Sequence, residues 1–223
     1  MISGVKDILT VEDAENENKL GMRCDEIDVR KDNNLMRQIV SELKRTIRKS
    51  DNIHALSAPA IGYDRRIFCI KFDKDDIKAF INPIIAKANG ISLSRETCTS
   101  IPGKEFIRPR SNDITVMYMS PLGQVETRQL VGKAACVFQH EIDHLDGLLI
   151  SDIGFEVGED YDNATDEEKQ EIVEAYLDSL DLKKKQLREE IDNDPELSEL
   201  DEGIRFMTSV ARGETKLEPI EKE

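Results

Sequence analysis

Met36, Ile39, Val40, Leu43 and Ile47 recur three and four positions apart behind the cluster Asp32-Asn33-Asn34. That spacing puts one apolar stripe along a helix, and the polar cluster supplies its N-cap, so a helix over 34–49 is expected with one face on the core. The polar residues before it, with the acidic run from Glu12 to Glu17, read as loop. From Arg66 to Asp73 the pattern changes to β-branched and aromatic residues, which predicts a strand. Ala79 to Ile85 reads as a second strand, and Pro83 inside it argues for a sheet edge. Ile114–Tyr118 and Gln124–Arg128 flank Ser120-Pro121-Leu122-Gly123, whose Pro and Gly are turn chemistry, so these two segments form a hairpin. Leu130 to Leu145 reads as a helix closed by Gly147.

Beyond Ser151 the texture changes. Gly154 to Asn163 is acidic and reads as a linker. Thr165-Asp166-Glu167-Glu168 is a capping-box signature, and Ile172, Val173, Tyr176, Leu177, Leu180, Leu187 and Ile191 mark an amphipathic helix reaching about residue 191. Asp194-Pro195 opens another helix, with Leu197, Leu200, Ile204, Met207 and Ala211 at helical spacing and Gly213 as its stop. Residues 214–223 read as frayed. Strands followed by a late helix predict an α+β fold, with antiparallel strands around a central helix and a C-terminal helical hairpin extension.

Charge separates the same two parts. Of the 223 residues, 1–150 hold 22 acids and 22 bases, whereas 151–223 hold 24 acids and 9 bases, so the whole formal charge of −15 belongs to the last third. The expected division is a domain over 1–152 and an acidic extension over 153–223. A chain of this charge is a poor ligand for a phosphate backbone, which excludes direct nucleic-acid binding as an expectation. No apolar run is long enough for a membrane span. The opening Met1-Ile2-Ser3-Gly4-Val5-Lys6-Asp7 lacks the pattern of a secretory signal, so a cytoplasmic location is expected, with Cys24, Cys69, Cys98 and Cys136 as reduced thiols.

Only three histidines occur, and two of them stand in His140-Glu141-Ile142-Asp143-His144. On a helix, imidazoles at i and i+4 lie one above the other and can bind one metal ion. Glu141 beside them can move a proton between water and a leaving group. A catalytic site of this kind needs a third ligand and an open position. Ile150 stands where one protease class places a third His and cannot ligate. Glu167, Glu168 and Glu171 stand near the spacing of a downstream Glu ligand, which leaves a zinc metallopeptidase open. An upstream thiolate is the other source, with Cys98 the best placed.

Three segments together are more specific. Gln139-His140-Glu141-Ile142-Asp143-His144-Leu145-Asp146-Gly147 resembles the peptide deformylase pattern Gln-His-Glu-x-Asp-His-Leu-x-Gly at every fixed position. Glu96-Thr97-Cys98-Thr99-Ser100, with Ile101-Pro102 and Arg108-Pro109-Arg110 after it, resembles that family's Glu-Gly-Cys-Leu-Ser. Ala55-Leu56-Ser57-Ala58-Pro59-Ala60-Ile61-Gly62 resembles its Gly-Leu-Ala-Ala-Pro-Gln-Val-Gly. The resemblance covers roughly 5–150 and omits the acidic extension.

The resemblance implies a metal held by Cys98, His140 and His144, Fe²⁺ first, with Zn²⁺, Ni²⁺ or Co²⁺ as alternatives. It implies removal of the formyl group from N-terminal formylmethionine of nascent polypeptides, with water on the metal attacking the formyl carbonyl and Glu141 as general acid/base. It further implies a buried Glu96–Arg110 pair below the Cys segment. Asp143 faces away from the ligands and is expected to anchor the helix. Cys136 and Val137 are expected to line the methionine pocket. The family's extension-bearing members suggest ribosome association through the C-terminal part, although its charge has the wrong sign for gripping RNA.

Two departures bear on chemistry. Ala60 stands where the family has Gln, whose amide helps hold the oxyanion together with the backbone N–H at the position of Thr99. The expectation is a slower deformylase, or one in which Ser57 or His54 supplies a donor. The alternative is a catalytically impaired metal-binding protein acting through its extension. Thr97 and Thr99 replace the Gly and Leu around Cys98, so Thr97 is expected to be strained unless the loop takes another path.

Overall fold

The computed structural model describes residues 5–193, and its compact units divide between Glu159 and Asp160. The first unit contains helices α1 (Ala14–Leu20), α2 (Asn33–Lys49), α3 (Lys133–Leu145) and α4 (Ile150–Ile153). Its strands are β1 (Ala55–Ser57), β2 (Ile67–Lys71), β3 (Ile77–Asn89), β4 (Ser92–Cys98), β5 (Ile101–Arg110), β6 (Asp113–Met119), β7 (Val125–Val131) and β8 (Phe155–Val157). They form a five-stranded sheet in the order β1-β2-β3-β6-β7 and a three-stranded sheet in the order β4-β5-β8. All pairings within both sheets are antiparallel, as the α+β expectation required.

The larger sheet is covered on both faces, which explains why β2 shows no hydrophobic–polar alternation. Ile67 and Cys69 join the side chains of α2, while Phe68 and Ile70 join those of α3. An amphipathic strand exposes one face; this one is buried on both, so every position is apolar until Lys71. On the α3 side, the Phe138 ring meets Phe68 and Phe80 edge-on at centroid distances of 4.9 and 5.2 Å, and Tyr118 meets Phe80 at 4.5 Å. Edge-to-face packing of this kind fixes the helix against the sheet beyond simple area burial. α3 also touches β5 of the smaller sheet, so it lies against both sheets. A third cluster, including Leu20, Ile101, Phe106 and Ile150, surrounds Cys98.

The 34–49 helix and the 114–128 hairpin form as predicted, with Gly123 donating to Ser120 O at 2.8 Å across the turn. Asp32 stands at the N-cap of α2, but its side chain makes no capping bond. Four other expectations are corrected. Pro83 does not mark an edge: β3 pairs on both sides, and the proline sits in the register shift between Ile81 and Ile84, where no ladder N–H is needed. Asn82 beside it takes φ 46° and clamps the chain, donating from Nδ2 to Ile27 O at 2.9 Å and accepting from Ile27 N at 3.0 Å.

The acidic run is not all loop. Asp13 accepts from the amides of Glu15 and Asn16, Glu15 pairs with Lys19 one turn on, and Leu20 is buried, so Ala14–Leu20 is helical. Leu130 and Val131 belong to β7 rather than to α3, because Gly132 at φ 57° breaks the chain before the helix starts. The expected linker is also structured. β8 pairs with β5, and α5 (Glu159–Asn163) follows it.

In the second unit, α6 (Asp166–Asn193) begins at the expected capping box. Thr165 N donates to Glu168 Oε2 at 2.8 Å, and Glu168 N donates to Thr165 Oγ1 at 3.3 Å. The expected second arm of the hairpin and the frayed end lie outside the described residues. No helix of the described residues is long and apolar enough to cross a membrane.

Candidate active site

α3 brings His140 and His144 to one face, with ring centroids 5.0 Å apart. Two backbone devices set where this helix ends. Gly147 takes φ 73°, and a Cβ there would lie 2.5 Å from Gly21 O and 2.8 Å from the carbonyl carbon of Met22, so no larger residue fits. Leu145 O accepts from Cys24 N at 2.9 Å and from Arg66 Nη1 at 3.2 Å, and Arg66 also pairs with Asp146 at 2.6 Å. The last turn, which carries His144, is thus capped by distant parts of the chain.

Cys98 arrives from the end of β4, where a register shift follows Thr97 and pairs Cys98 with Ile101. Its Sγ lies 3.2 Å from His144 Nε2. Ligand-type atoms of Cys98, His140 and His144 all lie within 4.8 Å of one another, the only such cluster of histidine, cysteine and carboxylate groups among the described residues. Glu167, Glu168 and Glu171 are not part of it. Thr97 is not strained: it continues β4 opposite Glu105, and Asn82 is the only non-glycine residue with positive φ among the described residues.

A buried ionic network holds this arrangement from behind. Glu96 accepts from Arg110 Nε and Nη2 at 2.8 Å each, and its Oε2 lies 2.9 Å from His140 Nδ1. His140 therefore has its Nδ1 engaged, which leaves Nε2 as the atom that could ligate a metal and fixes the ring orientation. Arg110 Nη1 also donates to Asp143, which Arg108 approaches at 3.4 Å. Asp143 thus anchors α3 to β5, and Gln139 adds a second tie by donating to Ser111 O at 2.7 Å and accepting from Ser111 N at 3.0 Å. Arg108 and the Gln139 clamp were not anticipated. Both residues stood in matched segments, but nothing in the sequence named their partners.

The electrostatics follow from this packing. Burial opposes the Cys98 thiolate, yet hydrogen bonds from His140 and His144 outweigh it and bring the thiol down to about 5. Burial likewise opposes a charged His140, but Cys98 and Glu96 lift it to about 10. Glu96 is held down at about 2, because Arg110 and His140 overcome the penalty of burial. Burial raises the Glu141 carboxyl despite the two neighbouring imidazoles. A thiolate and two oriented imidazoles form a donor set suited to a divalent transition metal, so the residues present fit such an ion.

Glu96, His140, Glu141 and His144 face a cavity of about 290 Å³. Ala60, Thr99, Cys136 and Val137 all line it, together with Glu141 and the two histidines. Glu141 Oε2, His144 Nδ1 and Ser57 Oγ are buried polar atoms without a hydrogen-bond partner. Such atoms mark places where water, an ion or a substrate group belongs. His54 lines the same cavity, so both residues considered as substitutes for the missing Gln border it.

The family model described as polypeptide deformylase matches residues 5–154. A peptide deformylase of Dictyoglomus turgidum is 34% identical over 117 residues, which cover 52% of this chain and 75% of that protein. Among solved structures, peptide deformylase from Thermotoga maritima is 31% identical with a TM-score of 0.60, covering 67% of this chain and 97% of that one. A probable peptide deformylase from Synechococcus phage S-SSM7 is 27% identical with a TM-score of 0.59, covering 67% of this chain and 99% of the phage chain. The matched stretch runs through every element that builds the cavity, from β1 to the end of α3, and the chain belongs to the polypeptide deformylase family.

Proposed function

We propose that the chain removes the formyl group from N-terminal formylmethionine of nascent polypeptides, with Cys98, His140 and His144 holding one divalent metal ion and Glu141 as general acid/base. The observation that carries this reading is the cluster of one thiolate and two imidazoles opening on a cavity beside a buried carboxyl. When bound, the ion supplies Lewis acidity, which makes water a better nucleophile and the formyl carbonyl a better electrophile. Glu141 takes the proton released as water adds to the carbonyl carbon. It returns that proton to the amine nitrogen as the C–N bond breaks, which leaves formate and a free N-terminus. Its raised pKa suits a group that must hold the proton between these two moments.

Glu96 keeps the His140 ring turned, and Arg110 keeps Glu96 charged. Thr99 and Ala60 occupy the oxyanion side, where Ala60 offers no side-chain donor, and the Ser57 hydroxyl in the same lining is the substitute. Cys136 and Val137 provide wall for the methionine side chain. Fe²⁺ is the preferred ion, with Zn²⁺, Ni²⁺ and Co²⁺ as functional replacements under oxidising conditions that a thiolate–iron site tolerates poorly.

All of these residues lie within 1–152, the portion to which we assign catalysis. The acidic part over 153–223 stands outside the chemistry and, if it docks near a ribosome, does so on basic protein rather than RNA. The test is release of formate from a formyl-Met peptide by the anaerobic, metal-loaded full chain. Turnover that disappears together with bound metal in Cys98→Ala supports the assignment. Metal retained in that variant would restore the peptidase reading, and metal binding without turnover would favour a binding protein.

A further inference from the structure

The cavity has walls of different character. Glu141 and His144 in its lining are buried, whereas Asn52, His54 and Lys133 are exposed. Lys133 opens α3, and Val137, His140 and His144 follow it four, seven and eleven positions later, so one helix face runs from the rim to the reaction end. Seven residues of helix from Lys133 to His140 span about 10 Å at a rise of 1.5 Å per residue. An extended peptide covers that distance in about three residues. A peptide whose first amine lies among Glu141 and the ligand cluster therefore leaves the cavity with its second and third residues beside Lys133.

The charges on the lining are otherwise spent. Arg95 pairs with Glu105, and Glu96 is committed to Arg110 and His140. Lys133 has no ion-pair partner among the described residues, and its ammonium is the one cation on the rim without a carboxylate. The lining also carries the polar residues Asn52, His54, Ser94 and Thr97. A bare cation beside the path of the second and third side chains attracts a carboxylate there and repels another cation.

Resting on the deformylase reading, we propose that Lys133 is a specificity-determining residue that selects formylated peptides with an acidic side chain at the second or third position. The ammonium acts on the departing part of the substrate, away from the carbonyl under attack, so its effect falls on peptide capture.

The test uses the Co²⁺-loaded full chain and three C-terminally amidated peptides, formyl-Met-Ala-Glu, formyl-Met-Ala-Gln and formyl-Met-Ala-Lys. Amidation removes the terminal carboxylate, which would otherwise give every peptide an anion. At low salt the Glu peptide is expected to exceed the Lys peptide about fivefold in kcat/KM, the size of effect an exposed ion pair gives. The ratio is expected to approach one at about 0.5 M NaCl and in Lys133→Ala, and to invert in Lys133→Glu. Calorimetric binding of the unformylated Met-Ala-Glu and Met-Ala-Lys amides reads the same ratio without catalysis. Equal values for the acidic and basic peptides, or a preference unchanged in Lys133→Glu, would overturn the proposal. If no formyl peptide is turned over, the catalytic reading falls, and the binding ratio still decides the role of Lys133.

Discussion

Replacing Arg110 with Met tests whether the network behind the proposed metal ligands acts as one unit. Arg110 is 3% exposed and donates three charge-assisted hydrogen bonds, two to Glu96 and one to Asp143, which are 8% and 15% exposed. Methionine fills much of the same volume but removes the cation that the two carboxylates share, leaving Glu96 to His140 and Asp143 to Arg108 at 3.4 Å. Breaking a buried pair by removing one partner costs about 3–5 kcal/mol. The exposed Arg95–Glu105 pair in the same β4–β5 hairpin is the internal control. Its members are 47% and 43% exposed, so after solvent screening Arg95→Ala is expected to cost less than about 1 kcal/mol. Equilibrium urea unfolding of the metal-free full chain, followed by tryptophan-independent far-UV circular dichroism, measures both. Glu96 also orients His140, so Arg110→Met is expected to weaken Zn²⁺ binding about 10- to 100-fold. A loss for Arg110→Met no larger than the control, with unchanged Zn²⁺ affinity, would refute the claim that this network supports both fold and site.

Metal binding should release protons in a pattern set by the Cys98–His140 pair. The metal-free protein has Cys98 lowered to about 5 and His140 raised to about 10, so between these pH values the pair holds one proton, on His140, which coordination expels. The pair's contribution to Zn²⁺ affinity is therefore expected to rise tenfold per pH unit in that window and more steeply below it; calorimetry in buffers of different ionisation enthalpy that finds no proton released at pH 7 would contradict this. Ala60→Gln places an amide in the cavity lining, and stopped or steady-state assays are expected to show kcat rising, by up to about 10²-fold if an oxyanion donor is restored. No gain would mean that another group already fills the role. Gly147→Ala forces a Cβ into φ 73° and onto Gly21 O, and thermal unfolding is expected to show a loss above the ~1 kcal/mol typical of point changes.

Elements that present a single buried stripe were legible in the sequence. α2 carries Met36, Ile39, Val40, Leu43 and Ile47 on one face because only that face packs. β4 and β5 were harder, since Ser94, Arg95, Thr97 and Glu105 point to the cavity or solvent, while Pro102, Gly103 and Pro109 break any strand pattern. Pro83 misled because a proline argues for an edge only where its missing N–H would face a partner; the register shift at Ile81–Ile84 removes that requirement. In the site, the histidine pair was visible from spacing alone, since one helix sets their separation. Cys98 was named only as the best-placed upstream thiolate and through the matched motif, because its approach depends on a bulge between two strands and on packing around Leu20 and Phe106. The partner that Arg108 finds in Asp143 left no local trace, because such pairing exists only after β5 and α3 have met.

The end of α3 has a consequence for the order of assembly. Its last turn rests on Cys24 N, Arg66 and the backbone of Gly21, all synthesised long before it. His144 therefore cannot settle while the growing chain still lacks residues 133–147, and the early segments have no helix end to receive until then. Contacts so far apart in sequence slow the acquisition of the native state. A protein proposed to act on emerging chains thus completes its own His144-bearing turn only after its early segments, at Gly21, Cys24 and Arg66, meet a helix end made at least 79 residues later.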